Sequence, residues 1–323
     1  MTRVLVTGAG GAAGVAVIRD LQRAGHEVIG ADPDPLAAGS ALADEGALLP
    51  FATDPGFVAA LRTLVSAHRA AAVITTVSEE MAVIAAEAAR AREDVLGVPC
   101  WVSPVETVRT CIDKSCFATA LDAGSIPTPA TTTADAPPPP GPWIVKPRLG
   151  RGSRGVSAVD DPDELTWALG RTPDAVVQTR CTGREFTADL LVDHDGTMVA
   201  CVPRWRLETK AGISTKGTTF LDPRVDDLGR RTVDLIGLRG SANLQGFVDD
   251  DADPPVTLVE VNPRVSGGLP LSLAAGADLV GQLLRGTLGE PLELDHLAFR
   301  PGITMVRHYA ELFSEPGGGR LVP

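Results

Sequence analysis

Val259-Glu260-Val261-Asn262-Pro263-Arg264 decides the fold of this chain. Glu260 and Asn262 stand two apart in an apolar, β-branched run, so strand geometry puts both on one face. A carboxylate and an amide oxygen side by side suit a hard cation such as Mg²⁺, which takes one or two protein oxygens and leaves the rest to substrate phosphates. Pro263 ends the strand. Arg264 then sets a guanidinium next to that metal pair, where a phosphate or carboxylate would lie. Taken alone, the string could also be an edge strand with solvated polar residues.

Upstream, Trp143-Ile144-Val145-Lys146 reads as a strand ending in a lysine, followed by Pro147-Arg148-Leu149-Gly150-Arg151-Gly152-Ser153-Arg154-Gly155. Glycines let backbone N–H groups approach phosphate oxygens, and the cations neutralise them. The spacing is not that of a Walker loop. Asp113-Lys114 opens a further helical stretch, and Gly183-Arg184-Glu185 precedes a strand. Arg204, Arg206 and Glu208 alternate along another, ahead of Lys210 and Lys216; such a strip suits an acidic substrate or phosphate, or is simply a solvated face.

The first hundred residues differ in texture. Strands over 3–6, 26–30 and 71–75 alternate with helices over 13–23, 57–68 and 79–92, a pattern that predicts an open, mainly parallel sheet. Thr7-Gly8-Ala9-Gly10-Gly11-Ala12-Ala13-Gly14 lies between the first strand and helix, and Asp32 closes the second strand, as in dinucleotide-binding folds. An NAD-dependent oxidoreductase of the short-chain type would need Tyr-x-x-x-Lys. The one tyrosine is Tyr309, and position 313 is Phe313. The glycines are therefore read as serving a tight turn and close helix–strand packing. Beyond residue 104 the pattern is α+β. A helix is expected over 105–123, a loop over 134–142 with four consecutive prolines, strands near 176–178, 185–192, 197–205 and 257–261, and helices near 226–238 and 273–285.

Composition narrows the function classes. A chain of 323 residues with 44% hydrophobic content can bury two or three packed units. The formal net charge of −12 argues against nucleic acid as a partner. No apolar run approaches the roughly 20 residues that span a bilayer. With no secretory leader evident, a cytoplasmic location is expected. Five cysteines without a C-x-x-C pair, and five scattered histidines, give no zinc or disulfide framework.

Taken in chain order, Asp113-Lys114, Ile144-Val145-Lys146-Pro147 with its glycine loop, Val177-Gln178 to Glu185, Gly212-Ile213-Ser214-Thr215, Asn243-Leu244-Gln245 and Glu260 to Arg264 resemble the ATP-grasp superfamily. The resemblance is to modules of the carbamoyl-phosphate synthase large-subunit type, and it covers essentially the whole chain. It implies a pre-ATP-grasp Rossmann-like domain over 1–104, a small lid subdomain over 105–178, and a larger antiparallel-sheet subdomain over 179–323. ATP would contact Lys114, Lys146, Gly150, Arg151, Gly152, Ser153, Gln178, Thr179, Arg180 and Glu185. Gln245, Glu260 and Asn262 would hold Mg²⁺, with Mn²⁺ as a substitute. Arg264, Lys146 and Arg206 would serve catalysis. Ser214, Thr215, Ser266, Gly267 and Arg307 would line the substrate side. Thr179 and Ser214 depart from the glutamate and histidine common at those places, which points away from carbamate chemistry.

The reaction so implied joins a small-molecule carboxylate to an amine through an acyl phosphate, releasing ADP and phosphate, with amino-acid-like substrates. No membrane or nucleic acid is expected as partner, and a homodimer stays open. A catalytically inactive nucleotide-binding subunit or sensor is the main alternative, and the complete Glu260, Asn262 and Arg264 set argues against it.

Overall fold

The computed structural model describes residues 1–91, 95–150, 152, 154–314 and 320–321. The N-terminal part runs β1 (Arg3–Thr7), α1 (Ala12–Arg23), β2 (Glu27–Asp32), α2 (Ala38–Leu42), β3 (Glu45–Leu48), α3 (Phe57–Ala67), β4 (Ala72–Thr75) and α4 (Ser78–Ala91). Its sheet is parallel, in the order β3-β2-β1-β4. Val4, Leu5 and Val6 are fully buried because helices cover both faces of the sheet. Leu5 meets Phe57 and Leu61 on one side, while Val4 and Val6 meet Val17 and Ile18 on the other.

The turn between β1 and α1 needs its glycines for shape. Gly8 is left-handed at φ 64°, and a Cβ on Gly14 would collide with Gly8 O. Gly10 N donates to Asp32 at 2.8 Å, so Asp32 stiffens the loop.

The chain continues through α5 (Val105–Ile112), α6 (Lys114–Ala123), β5 (Thr131–Thr133), β6 (Trp143–Pro147), β7 (Ser157–Val159), α7 (Pro162–Arg171) and β8 (Ala175–Thr179). The single helix expected over 105–123 is two. Asp113 takes an extended backbone, and its carboxylate accepts from Ser115 N at 3.0 Å and Cys116 N at 3.1 Å, capping α6. Strands β5-β8-β6-β7 form a small antiparallel sheet over Val145, Leu165 and Ala168.

Then follow β9 (Arg184–Val192), β10 (Met198–Lys210), β11 (Ile213–Thr219), α8 (Pro223–Ile236), β12 (Gly240–Val248), β13 (Val256–Asn262), α9 (Leu269–Ala274), α10 (Leu279–Thr287) and β14 (Thr304–Val306). The helix expected over 273–285 is also two. Gly276 at φ 114° breaks it, and Asp278 caps α10 through Gly281 N at 3.0 Å. Six strands form an antiparallel sheet in the order β13-β12-β9-β10-β11-β14.

Alternation sorts this large sheet. Phe186, Ala188 and Leu190 pack with Leu244, Leu258 and Val261 against α6 and α8. Glu185, Thr187 and Asp189, which alternate with them, point to the other face. Leu269, Val280 and Leu283 share a core with Val17 and Ile18 of α1, so the N-terminal sheet and the large sheet are packed together. Among the described residues no helix is long and apolar enough to cross a membrane.

Candidate active site

Three neighbouring strands bring the polar residues of the large sheet together. Gln245 on β12 lies opposite Glu260 on β13. Gln245 Nε2 donates to Glu185 Oε1 on β9 at 2.6 Å, and Asn262 Nδ2 donates to Glu260 Oε1 at 2.8 Å. The two-residue spacing of Glu260 and Asn262 thus sets them side by side. Arg264 follows, donating to Asn262 Oδ1 at 3.2 Å and to Val265 O at 2.9 Å. Arg206 on β10 joins the cluster from the other side, pairing with Glu185 and donating to Gly212 O at 3.0 Å.

Lys146 lies one residue before the end of β6 in the small sheet, only 7% exposed. Burial pushes its pKa down to about 8, with Glu260 acting to raise it and Lys114 to lower it. Its own burial pushes the Cys181 thiol up to about 11, with Lys146 acting to lower it. The charges of Lys146, Glu260 and Lys114 are therefore within electrostatic reach of one another. Lys114, the first residue of α6, is 8% exposed and donates Nζ to Gly150 O at 3.1 Å. The Asp113 cap has a second partner, Arg148, at 2.7 Å. One residue pair thus fixes both the start of α6 and the start of the glycine loop.

Gly150 and Gly152 have φ of 143° and 65°, conformations that glycine supplies. Gly152 touches the tip of the β10–β11 hairpin, where a Cβ on Gly212 would lie 2.9 Å from its carbonyl carbon. Arg151 and Ser153, also expected at the nucleotide, lie outside the described residues. Gln178 turns its amide to Thr131 Oγ1 at 2.8 Å, tying β8 to β5. Thr179 Oγ1 donates to Pro140 O at 2.7 Å, and Arg180 pairs with Asp160 at 2.5 Å. Thr179, Arg180 and Cys181 line a cavity together with Ile126 and Phe247.

Of the substrate-side residues, Ser266 and Gly267 lie on the loop after Arg264, Ser214 and Thr215 on β11, and Arg307 just past β14. Ser266 Oγ accepts from Arg204 at 2.9 Å and from Gly268 N at 3.1 Å. Arg307 donates to Gly267 O at 2.6 Å and to Ser214 O at 3.4 Å, and its own N–H reaches Thr215 O. Thr215 Oγ1 donates to Glu208, away from Arg264's strand.

Sequence reasoning passed over the residue that anchors this loop. Asp189, 3% exposed, accepts from Arg204 at 2.8 Å, Ser272 at 2.6 Å and Asn243 at 3.2 Å. Its signal was an acid inside the apolar run Phe186 to Val192, which is costly unless paired. Glu80 was also missed. It is 4% exposed and accepts from the Thr7 and Thr75 hydroxyls at the ends of β1 and β4.

Comparison with known proteins accords with this geometry. Residues 171–309 match the family described as ATP-grasp in the biosynthetic pathway with Ter operon, and residues 4–100 match the PylC-like N-terminal domain. An uncharacterized protein of Sinorhizobium fredii is 27% identical over 218 residues, 58% of this chain and 44% of that one. A D-alanine–D-alanine ligase of Corynebacterium urealyticum is 30% identical over 177 residues, 45% of this chain and 48% of the ligase. The match therefore spans about half the length of these two relatives. The L-amino acid ligase of Bacillus licheniformis shares the fold with a TM-score of 0.72 at 18% identity, over 93% of this chain and 78% of that one. Biotin carboxylase from Campylobacter jejuni does so with a TM-score of 0.72 at 15% identity, over 93% and 74%. An ATP-grasp family match over residues 171–309 and a PylC-like match over residues 4–100 thus lie in chain order on a fold shared with these ligase structures.

Proposed function

We propose that this chain is an ATP-dependent carboxylate–amine ligase that works through an acyl phosphate and releases ADP and phosphate. One observation carries the reading: Glu185, Gln245, Glu260 and Asn262 gather on three adjacent strands, and the buried Lys146 feels the charges of both Glu260 and the buried Lys114. Among the described residues no three or more His, Cys, Asp or Glu side chains converge as a metal cage. One carboxylate and two amides fit a hard cation that draws its remaining oxygens from a substrate triphosphate. Glu260, Asn262 and Gln245 would hold Mg²⁺, which when bound screens phosphate charge and polarises the phosphoryl oxygens.

The protein's own part is positioning and electrostatics. Lys146 and Lys114 hold the phosphates from the side of the small sheet. The loop over 148–155 closes above them and excludes water. The substrate carboxylate oxygen bonds to the γ-phosphorus while the bond to the β-bridging oxygen breaks, and ADP leaves. Arg264 balances charge on the transferring phosphoryl group and on the acyl phosphate. The amine nitrogen then bonds to the acyl carbon, phosphate departs and the ammonium proton goes to solvent. No protein nucleophile is required.

Amino-acid-like substrates are favoured by two likenesses: a curated relative is named for joining D-alanine to D-alanine, and a solved neighbour is an L-amino acid ligase. The test is a matrix of amino-acid pairs assayed for ADP release, with product mass measured in the active wells. E260A should lose turnover by a factor of at least 100 while remaining folded. Unchanged ADP formation in E260A would overturn the assignment.

A further inference from the structure

We propose that Arg307 and Arg204 form an anion subsite, next to the loop that carries Arg264, which holds the free carboxylate of an amino-acid acceptor. The inference rests on the ligase reading above and names the class of its amine substrate.

The argument begins from charge balance. Arg204 is almost completely buried, and one of its terminal nitrogens is committed to Asp189 and Ser266. Its other terminal nitrogen lies over Gly268, where a Cβ would collide with it. Its Nε is buried without a partner. Arg307 donates to Gly267 O, between the Ser266 and Gly268 that Arg204 touches, so the two positive charges stand close enough to repel. Burial and the nearness of Arg204 both hold the Arg307 guanidinium below its usual pKa. Against these two cations stands one carboxylate, Asp189, and it is already shared by Arg204, Ser272 and Asn243.

Arg307 has no acidic partner among the described residues. It spends two donors on the carbonyls of Gly267 and Ser214 and keeps the rest of its five. A half-buried guanidinium beside a second one, without a counter-ion, is unfavourable for the free protein. It becomes favourable when an anion arrives, and a planar fork is suited to a carboxylate.

The location separates this anion from the one that is phosphorylated. Gly267 is three residues past Arg264, so their Cα atoms lie within about 11 Å of each other, and the Arg307 fork sits on the Gly267 carbonyl. That is the scale of one small molecule. A carboxylate at Arg307 belongs to a molecule whose other end can reach the acyl phosphate beside Arg264. The amine of an α-amino acid meets that requirement, since its own carboxylate stays free during the reaction. The start of α1 packs on the same loop, where a Cβ on Gly267 would lie 3.6 Å from the Ala12 Cβ. The N-terminal domain therefore bounds the subsite and limits acceptor size.

The test pairs each of the twenty common L-amino acids with its primary amide as acceptor, in wild type, R307Q and R307K. Wild type should prefer acid to amide in kcat/KM by about 10- to 100-fold, the value of one charge-assisted contact. In R307Q that preference should fall to within about threefold of unity, and R307K should lie between. Hydroxylamine is run beside them as a small neutral acceptor for wild type. Hydroxamate with no preference for acid over amide overturns the subsite and leaves the ligase reading standing. No hydroxamate and no ADP with any carboxylate overturns the ligase reading itself. A preference that survives in R307Q, or equal loss with acid and amide in both variants, also overturns the subsite.

Discussion

Arg204 pairs with Asp189 at 2.8 Å, with 2% and 4% of the two side chains exposed. The pair joins the middle of the large sheet to the loop after Arg264, through Ser266 and Ser272. Removing one member strands the other charge in the interior, which costs about 3–5 kcal/mol. D189A and R204M should each show that loss in urea unfolding, whereas D189L/R204M together should lose less than either alone. Singles that cost under about 1 kcal/mol would mean that the loop is held by other contacts.

Asp113 joins two tasks. It caps α6, which carries Lys114 at its first position, and it pairs with Arg148 at the root of the glycine loop. D113A should lower stability by about 1 kcal/mol through the lost cap. It should weaken ATP binding more than that figure suggests, because Lys114 and the loop over 148–155 both lose their anchor. Nucleotide affinity by calorimetry is the readout. D113N keeps the cap oxygen and loses the ion pair, so it should retain most of the stability. Equal nucleotide affinity in D113A and wild type would sever the link between cap and lid.

Much of this was legible beforehand, and the boundary is physical. Side-by-side placement of Glu260 and Asn262 follows from strand geometry alone, and the separation of Phe186, Ala188 and Leu190 from Glu185, Thr187 and Asp189 follows from the same rule. Lys146 was readable as a cation closing an apolar strand ahead of a glycine loop; its burial was not. Asp113-Lys114 already marked a helix start, but the break before Asp278 was not readable, because an N-capping aspartate inside a helix-favouring run differs from a surface aspartate only by its backbone angle. Nor could the sequence pair Asp189 with Arg204, or Glu80 with Thr7. The first depends on the register of the consecutive strands β9 and β10, which sets Arg204 opposite Thr187, and the second on β4 lying beside β1 rather than beside β3.

The hairpin between β10 and β11 turns at Ala211 and Gly212, with φ of 49° and 76°. Its tip rests on Gly152, and Arg206 links Gly212 O back to Glu185. G212V would force a branched side chain into a left-handed turn and against the lid loop. The expected outcome is a rise of about tenfold or more in KM for ATP, with a smaller change in KM for the amine. Hydrolysis of ATP without an amine should rise relative to ligation, since a lid held ajar admits water to the acyl phosphate. A variant with unchanged KM for ATP and unchanged coupling would show that the hairpin does not support the lid.

Glu80 carries a pH signature of its own. Burial raises its pKa from the usual 4.5, the Thr7 and Thr75 hydroxyls pull it back in part, and Asp32 and Glu79 push it up again. The folded state therefore keeps a proton that the unfolded chain gives up. Above the ordinary value the native protein binds more protons than the unfolded one, so stability falls as pH rises through the folded pKa. The stabilising contribution is complete below about 4.5 and lost at higher pH. Glutamine does not titrate and can still meet both hydroxyls. E80Q should thus exceed wild type in stability most clearly near pH 8, with the gap closing as the pH is lowered towards 5. Thermal melts of both proteins across that range check it, and the comparison cancels the acid sensitivity of every other carboxylate. A gap that stays constant would mean that Glu80 is ionised in the folded protein throughout, its charge met by the two hydroxyls.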